Sequence, residues 1–112
     1  MNQQETHPNK TEEILNDLKW RLREFYGDRL VSIILYGSHA RGDAEEGFDI
    51  DVVLALSGCV NPLDERDRMG DILYELDVKY DTVISVVVVD ARDLDTRETP
   101  FLLNVRREGI VL

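Results

Sequence analysis

Two aspartates separated by one residue are the clearest candidates for chemistry in this chain. Asp49 and Asp51 begin an apolar run that ends at Leu56, and side chains two positions apart on a β-strand project from the same face. Two carboxylates on one face of a largely apolar strand are costly unless a cation compensates them. Mg²⁺ suits such a pair because it prefers oxygen ligands. Without further signals, however, paired aspartates are also typical of a solvated strand end.

A glycine–serine turn upstream of the two aspartates favours a binding site for a metal and a phosphate over a solvated strand end. Gly37 and Ser38 follow the apolar run LVSIILY and precede Asp49 by a short polar segment. Glycine permits a positive φ and a close approach of the backbone to a ligand. The free N–H groups of such a turn, together with a serine hydroxyl, suit a phosphate chain. From residue 41 to residue 51 there are five carboxylates and one arginine, which further favours a divalent cation.

The elements that must position these residues form an α/β pattern. We expect an α/β (α+β) fold with a small mixed sheet flanked by helices. The predicted strands are 30–36, 48–56 and 82–89, and the predicted helices are 11–26, 61–80 and 99–108. The first helix should bury an apolar stripe of Ile14, Leu15, Leu18, Leu22 and Phe25. Residues 1–10 are expected to form a disordered tail, and residues 11–112 a single domain.

Composition excludes several classes of protein. The chain has 112 residues and a net charge of −10, so nucleic acid is not an expected partner. One cysteine, Cys59, excludes an internal disulfide and a cysteine-based zinc site. No apolar run is long enough for a membrane span, and no secretory signal is present. We therefore expect a soluble, cytoplasmic protein, in which the charged run 64–71 is a solvated helix face.

The motifs GSHARG (37–42) and FDIDVVL (48–54) together resemble the signature of the nucleotidyltransferase (DNA polymerase β-like) superfamily. The short chain is similar to its minimal branch, the MNT proteins. By this resemblance Gly37 and Ser38 would bind the triphosphate of a nucleotide, and Asp49 and Asp51 would be catalytic residues that hold Mg²⁺. Arg41 would either face the phosphates or brace the loop.

One departure from the family pattern concerns a third carboxylate on a later strand. The best alignment places Ser85 where that acid belongs. Asp81 shares the face of Ser85 if the strand is regular and reaches that far, so it is our candidate for the third catalytic acid. An ordinary strand-start role for Asp81 is the alternative, and Asp90, which has the opposite parity to Ser85, is a poorer candidate.

The resemblance implies Mg²⁺-dependent transfer of a nucleoside monophosphate, AMP from ATP, to a hydroxyl acceptor. Minimal proteins of this kind are similar to the antitoxins of HEPN–MNT toxin–antitoxin pairs, which implies that the acceptor is a tyrosine of a HEPN partner toxin. Because the third acid is not clearly present, a non-catalytic nucleotide-binding module that neutralises its partner by complex formation is the alternative.

Overall fold

Four strands form one mixed sheet in the order β3-β2-β1-β4 in a computed structural model that describes residues 10–41, 49–58 and 60–112. The strands are β1 (Leu30–Tyr36), β2 (Ile50–Leu56), β3 (Ile84–Asp90) and β4 (Ile110–Val111). The helices are α1 (Lys10–Tyr26), α2 (Gly37–Arg41), α3 (Pro62–Arg68), α4 (Gly70–Tyr80), α5 (Ala91–Leu94) and α6 (Pro100–Glu108), with a 3₁₀ turn at Gly27–Arg29. The expected α/β class with a small mixed sheet is confirmed.

The sheet combines both kinds of strand pairing. β1 pairs antiparallel with β2 and with β4, whereas β2 and β3 run parallel. The parallel pair is joined by α3 and α4, as a crossover between parallel strands requires. One face of the sheet packs against α1 and α4 and contains the main core. The other face, partly covered by α6, presents the odd-numbered residues of β2, including Asp51 and the buried Val53.

The predicted helix starts at residues 61 and 99 are confirmed, and each is marked by a side-chain cap. Asn61 accepts a hydrogen bond from the N–H of Asp64, and Pro62 follows at the first turn of α3. Thr99 caps α6 in the same way, through the N–H of Leu102. The predicted helix 61–80 is in fact two helices, because the chain leaves helical geometry at Met69, which is fully buried.

Two predictions about burial were wrong. Phe25 is exposed, and Tyr26 takes the last place in the buried stripe of α1. Glu65, in the charged run expected to be solvated, is only 3% exposed. Its carboxylate accepts hydrogen bonds from Arg29 at 2.8 Å, Tyr26 at 3.2 Å and Arg68 at 3.3 Å. These partners compensate the buried charge and tie α3 to the end of α1.

The pKa values of this cluster follow from the same contacts. Burial, followed by the charge of Glu65, raises the pKa of Tyr26 to about 12. Burial also opposes ionisation of Glu65, but the hydrogen bonds from Arg29 and Tyr26 outweigh it and lower the pKa of that carboxyl. The cluster is thus a structural network in which the buried carboxylate of Glu65 has hydrogen-bond partners. It does not include Asp49 or Asp51.

Some of the predictions from the sequence concern residues that the structure does not describe. Residues 1–9 of the expected tail, the segment 42–48 and Cys59 are not among the described residues. Lys10, the last residue of the expected tail, is the first residue of α1. In the part of the chain that is described, no helix combines the length and the apolar character needed to cross a bilayer.

Candidate functional site

The candidate site lies where β1 ends against the start of β2. Tyr36, the last residue of β1, is the antiparallel partner of Asp51. The next residue, Gly37, has φ +73° and turns the chain into α2. This is the left-handed conformation that glycine adopts without a steric penalty. The positive φ that glycine permits is thus present at Gly37, and the turn lies between a strand pair on one side and a helix on the other.

The absence of a side chain at Gly37 leaves room for the carboxylate of Asp51. A Cβ atom built on Gly37 would lie 2.7 Å from Asp51 Oδ2, a separation that real Cβ atoms essentially never show. Two features therefore favour glycine at this position: the left-handed backbone conformation and the space taken by the Asp51 carboxylate. The chain thus places the carboxylate of the predicted metal ligand next to the predicted phosphate-binding turn.

The two aspartates act on each other electrostatically, as their spacing predicts. Burial raises the pKa of the Asp51 carboxyl, the charge of Asp49 raises it further, and His39 opposes both effects. Asp51 forms no hydrogen bond or ion pair with another residue of the described segments, whereas the buried Glu65 has three such partners. A carboxylate in this condition fits a hard divalent cation, because the cation would supply the missing compensation.

Tyr36, the strand partner of Asp51, was not among the site residues predicted from the sequence. Burial, followed by the charge of Asp51, raises the pKa of its phenol group. Its ring packs edge-to-face on Phe101 of α6, with centroids 5.5 Å apart. The signal for Tyr36 was its position immediately before the glycine turn, but the contact with Phe101 depends on tertiary structure and has no local signature.

The register of β3 bears on the third acid. Ser85 is the parallel partner of Asp51, so the two side chains share a face on adjacent strands. Asp81 lies before β3, which begins at Ile84, and is the left-handed C-cap of α4 with φ 51°. The predicted strand 82–89 therefore begins too early, and the register does not bring Asp81 beside Asp51. The catalytic role of Asp81 stays a prediction without support from this geometry.

The other candidate residues differ in their distance from the turn, and Asp90 lies at the far end of the β2–β3 pair, beside Leu56. Ser38 and Arg41 belong to α2, and their phosphate contacts stay predictions. Asp49 immediately precedes β2 and is exposed. Asp90 ends β3, where it caps α5 and pairs with Arg92. Among the described residues, no group of three or more His, Cys, Asp or Glu side chains could hold a metal ion.

Comparison with known proteins identifies the family to which this fold and site belong. The family model described as "Nucleotidyltransferase domain" matches residues 12–101. Because that match covers most of the chain, the chain belongs to this nucleotidyltransferase family.

Two curated relatives come from Methanocaldococcus jannaschii. "Putative protein adenylyltransferase MJ1305" is 36% identical over 85 residues, covering 75% of this chain and 58% of the relative. "Putative protein adenylyltransferase MJ0141" is 31% identical over 98 residues, covering 88% of this chain and 94% of the relative. The chain thus matches little more than half the length of the first relative and nearly all of the second.

Solved structures show the same fold. A toxin–antitoxin crystallised with AMP-PNP has a TM-score of 0.60 at 17% identity, covering 93% of this chain and 72% of the other. A mutant of the toxin–antitoxin MntA-HpeT has a TM-score of 0.57 at 19% identity, covering 95% of this chain and 72% of the other. The nucleotidyltransferase core predicted from the motifs is confirmed.

The contact between Gly37 and Asp51 can be tested with a matched glycine. Gly27 also has a positive φ, +56°, but a Cβ atom there would meet nothing within 4 Å. Alanine at either position should cost on the order of 1 kcal/mol of folding free energy for its left-handed backbone. Only Gly37→Ala should also displace the Asp51 carboxylate and weaken ATP·Mg²⁺ binding, by at least about tenfold (~1.4 kcal/mol). Denaturant unfolding and nucleotide titration measure the two effects. Equal nucleotide affinity in the two folded variants would contradict the assignment.

Asp51 should lower the stability of the metal-free protein. Because its pKa is raised by folding, ionisation above the ordinary carboxyl value of 3.8 costs folding free energy. Asp51→Asn should therefore raise the Tm in EDTA at pH 7, and the gain should shrink as the pH falls and native Asp51 becomes protonated. Asp67→Asn, which removes an exposed charge of α3, is the control for net charge. A lower Tm for Asp51→Asn at pH 7 would show that the carboxylate is structural.

Proposed function

We propose that this domain transfers AMP from ATP, with Mg²⁺ bound, to a hydroxyl group of a partner protein. The proposal depends on one observation, the contact between Gly37 and the Asp51 carboxylate. A phosphate chain can approach the acid there through a position without a side chain. The names of the relatives MJ1305 and MJ0141 favour AMP as the transferred group and a protein as the acceptor.

A tyrosine of a HEPN-type partner toxin is the acceptor that we propose. The sequence motifs resemble those of antitoxins from HEPN–MNT pairs, and the structural neighbours include two toxin–antitoxin proteins, one crystallised with AMP-PNP. An acidic chain with a net charge of −10 also suits a protein acceptor better than nucleic acid.

The proposed reaction is a displacement at the α-phosphorus of ATP. The acceptor oxygen forms a bond to this phosphorus, the bond to the oxygen that bridges the α- and β-phosphates breaks, and pyrophosphate leaves. Bound Mg²⁺ would neutralise phosphate charge and stabilise the leaving group. Asp49 and Asp51 would hold the cation, and the turn at Gly37 and Ser38 would orient the triphosphate. The position paired with Asp51 on β3 is a serine, which cannot act as a base, so the acceptor proton would be released to water.

The alternative is a non-catalytic nucleotide-binding module that neutralises its partner by complex formation. The observation that favours it is the pairing of Ser85 with Asp51. In a catalytic family member this position would carry the third acid, which helps to hold a metal and accepts the proton. Serine keeps the two-carboxylate site but lacks that function, so nucleotide binding is better supported than turnover.

Restoring an acid at position 85 should raise activity. Adjacent strands lie about 4.8 Å apart, so the carboxylate of Ser85→Asp would stand directly beside Asp51. We expect AMP transfer to a HEPN-type partner toxin to increase at least about tenfold, equivalent to ~1.4 kcal/mol in the activation free energy. Incubation with ATP labelled at the α-phosphate and Mg²⁺, followed by detection of labelled partner, measures this.

Ser85→Asn is the matched control, since it adds a side chain of the same size without the charge. It should leave transfer at the native level. Robust native transfer that is lost in Asp81→Asn would show that Asp81 is the third ligand after all. Absence of labelling by all variants, with ATP still bound, would favour the non-catalytic alternative.

A further inference from the structure

The outer surface of α1 and α4 carries charges and large apolar side chains that the fold itself does not use. These two helices cover the face of the sheet opposite to Asp51. Where the helices meet, their charges are paired. Asp17 accepts hydrogen bonds from Arg21 at 2.9 Å and from Lys79 at 2.8 Å, and Arg21 also donates to Glu75 at 2.6 Å. The charges between the two helices are therefore compensated within the chain.

A basic stripe lies on the side of α1 that does not face α4. Its residues follow each other at helical spacing and together line a cavity of about 290 Å³: Asn16, Lys19, Trp20 and Arg23. Trp20 is the one tryptophan of the chain and is 66% exposed. Lys19 and Arg23 form no hydrogen bond or ion pair with the described residues. Neither has an acid three or four positions away, and two like charges four positions apart repel each other on a helix.

An acidic stripe of the same spacing lies on the outer surface of α4. It consists of Asp71, Tyr74, Glu75 and Val78. Tyr74 and Val78 are large apolar side chains that are exposed to solvent. The side chain of Asp71 forms no hydrogen bond or ion pair within the described part of the chain. Glu75 keeps 64% of its side chain exposed in spite of its bond to Arg21, so it too can bind a further cation.

The two stripes are complementary to each other. Each places an aromatic side chain beside two charged residues four positions apart, and the charges have opposite signs. Because one chain carries both stripes on the same helical layer, two copies related by a twofold axis can place the basic stripe of each against the acidic stripe of the other. Aromatic residues and arginine are enriched in protein interfaces. A second copy thus supplies the opposite charges and the apolar cover that the stripes lack.

The area available is that of a small interface. α1 has 17 residues and α4 has 11, which corresponds to lengths of about 26 and 17 Å at 1.5 Å per residue. Two helices side by side present a surface about 20 Å wide. This is smaller than the ~800 Å² that each partner contributes to a typical stable interface. We therefore expect a weak association, with a Kd in the micromolar range.

We propose that the outer surface of α1 and α4 binds a second copy of this chain, with the basic stripe of each copy against the acidic stripe of the other. The net charge of −10 on each copy opposes association, so the dimer depends on local pairing and on salt that screens the remaining charge. The interface lies on the opposite face of the sheet from Asp51. It therefore leaves both candidate sites open to ATP and to an acceptor, and it requires no catalytic activity.

Sedimentation equilibrium of the full chain at about 0.15 M salt tests the proposal. Between about 1 µM and 1 mM protein, we expect the mass to rise from that of a monomer to that of a dimer. Trp20 reports on the place of contact, because the tryptophan emission of the chain comes from this residue alone. Its emission should shift to shorter wavelength along the same concentration curve, as solvent leaves the indole ring.

Charge reversal with a matched control tests the pairing of the stripes. Arg23→Glu and Asp71→Arg should each weaken the dimer at least about tenfold, because each places like charges across the interface. Arg107→Glu makes the first change at an exposed position of α6 and should leave dimer affinity at the native level. An equimolar mixture of Arg23→Glu and Asp71→Arg chains should associate at least about tenfold more tightly than either variant alone, since their twofold dimer has opposite charges at both contacts. Thermal unfolding checks that all variants are folded, and all should bind ATP·Mg²⁺ as the native chain does.

Several outcomes would overturn the inference. A chain that stays monomeric up to about 1 mM would leave the two stripes to a different protein. A dimer that forms without a change in Trp20 emission would have its interface elsewhere. An equal effect of Arg107→Glu, or a mixture that associates no more tightly than the separate variants, would also exclude the pairing of the two stripes.

Discussion

The candidate site depends on one electrostatic constraint, a half-buried carboxylate whose burial and acidic neighbour outweigh the opposing charge of His39. Asp51 lies on a strand whose other residues are almost completely buried, and its pKa is raised by that burial and by Asp49. The fold keeps the acid in this position because its neighbours Ile50 and Val52 point into the main core. Packing on one face of β2 therefore fixes an unfavourable charge on the other face, where a metal–nucleotide complex would relieve it.

The remaining elements position partners around this acid. β1 brings Gly37 against its oxygen, and the parallel pairing with β3 brings Ser85 beside it. The buried Glu65 shows the contrast, since it is bound by Arg29, Tyr26 and Arg68 and holds helices together. The two acids thus have opposite environments. The pKa of Glu65 is lowered by its hydrogen bonds, whereas the pKa of Asp51 is raised, and Asp51 forms no hydrogen bond or ion pair with the described residues.

Local signals in the sequence predicted much of the fold. The boundaries of β1 were exact because Gly37 ends a β-branched run, and Asn61–Pro62 and Thr99–Pro100 marked two helix starts. The predictions that failed depended on tertiary contacts. Burial of Glu65 required Arg29 from another segment, and the left-handed C-cap at Asp81 shortened β3. The motifs indicated that Gly37 and Asp51 belong to one site, but the close approach of the Asp51 carboxylate to Gly37 required the pairing of β1 with β2.

The central claim is that the carboxylates beside Gly37 hold the metal–nucleotide complex. Isothermal titration of ATP into the protein, with Mg²⁺ and separately with EDTA, tests it most directly. For the native chain we predict binding that depends on Mg²⁺. For the Asp49→Asn/Asp51→Asn double variant we predict a loss of at least about a hundredfold in affinity (~2.7 kcal/mol) with the fold intact. Unchanged ATP·Mg²⁺ affinity in the folded double variant would contradict the account.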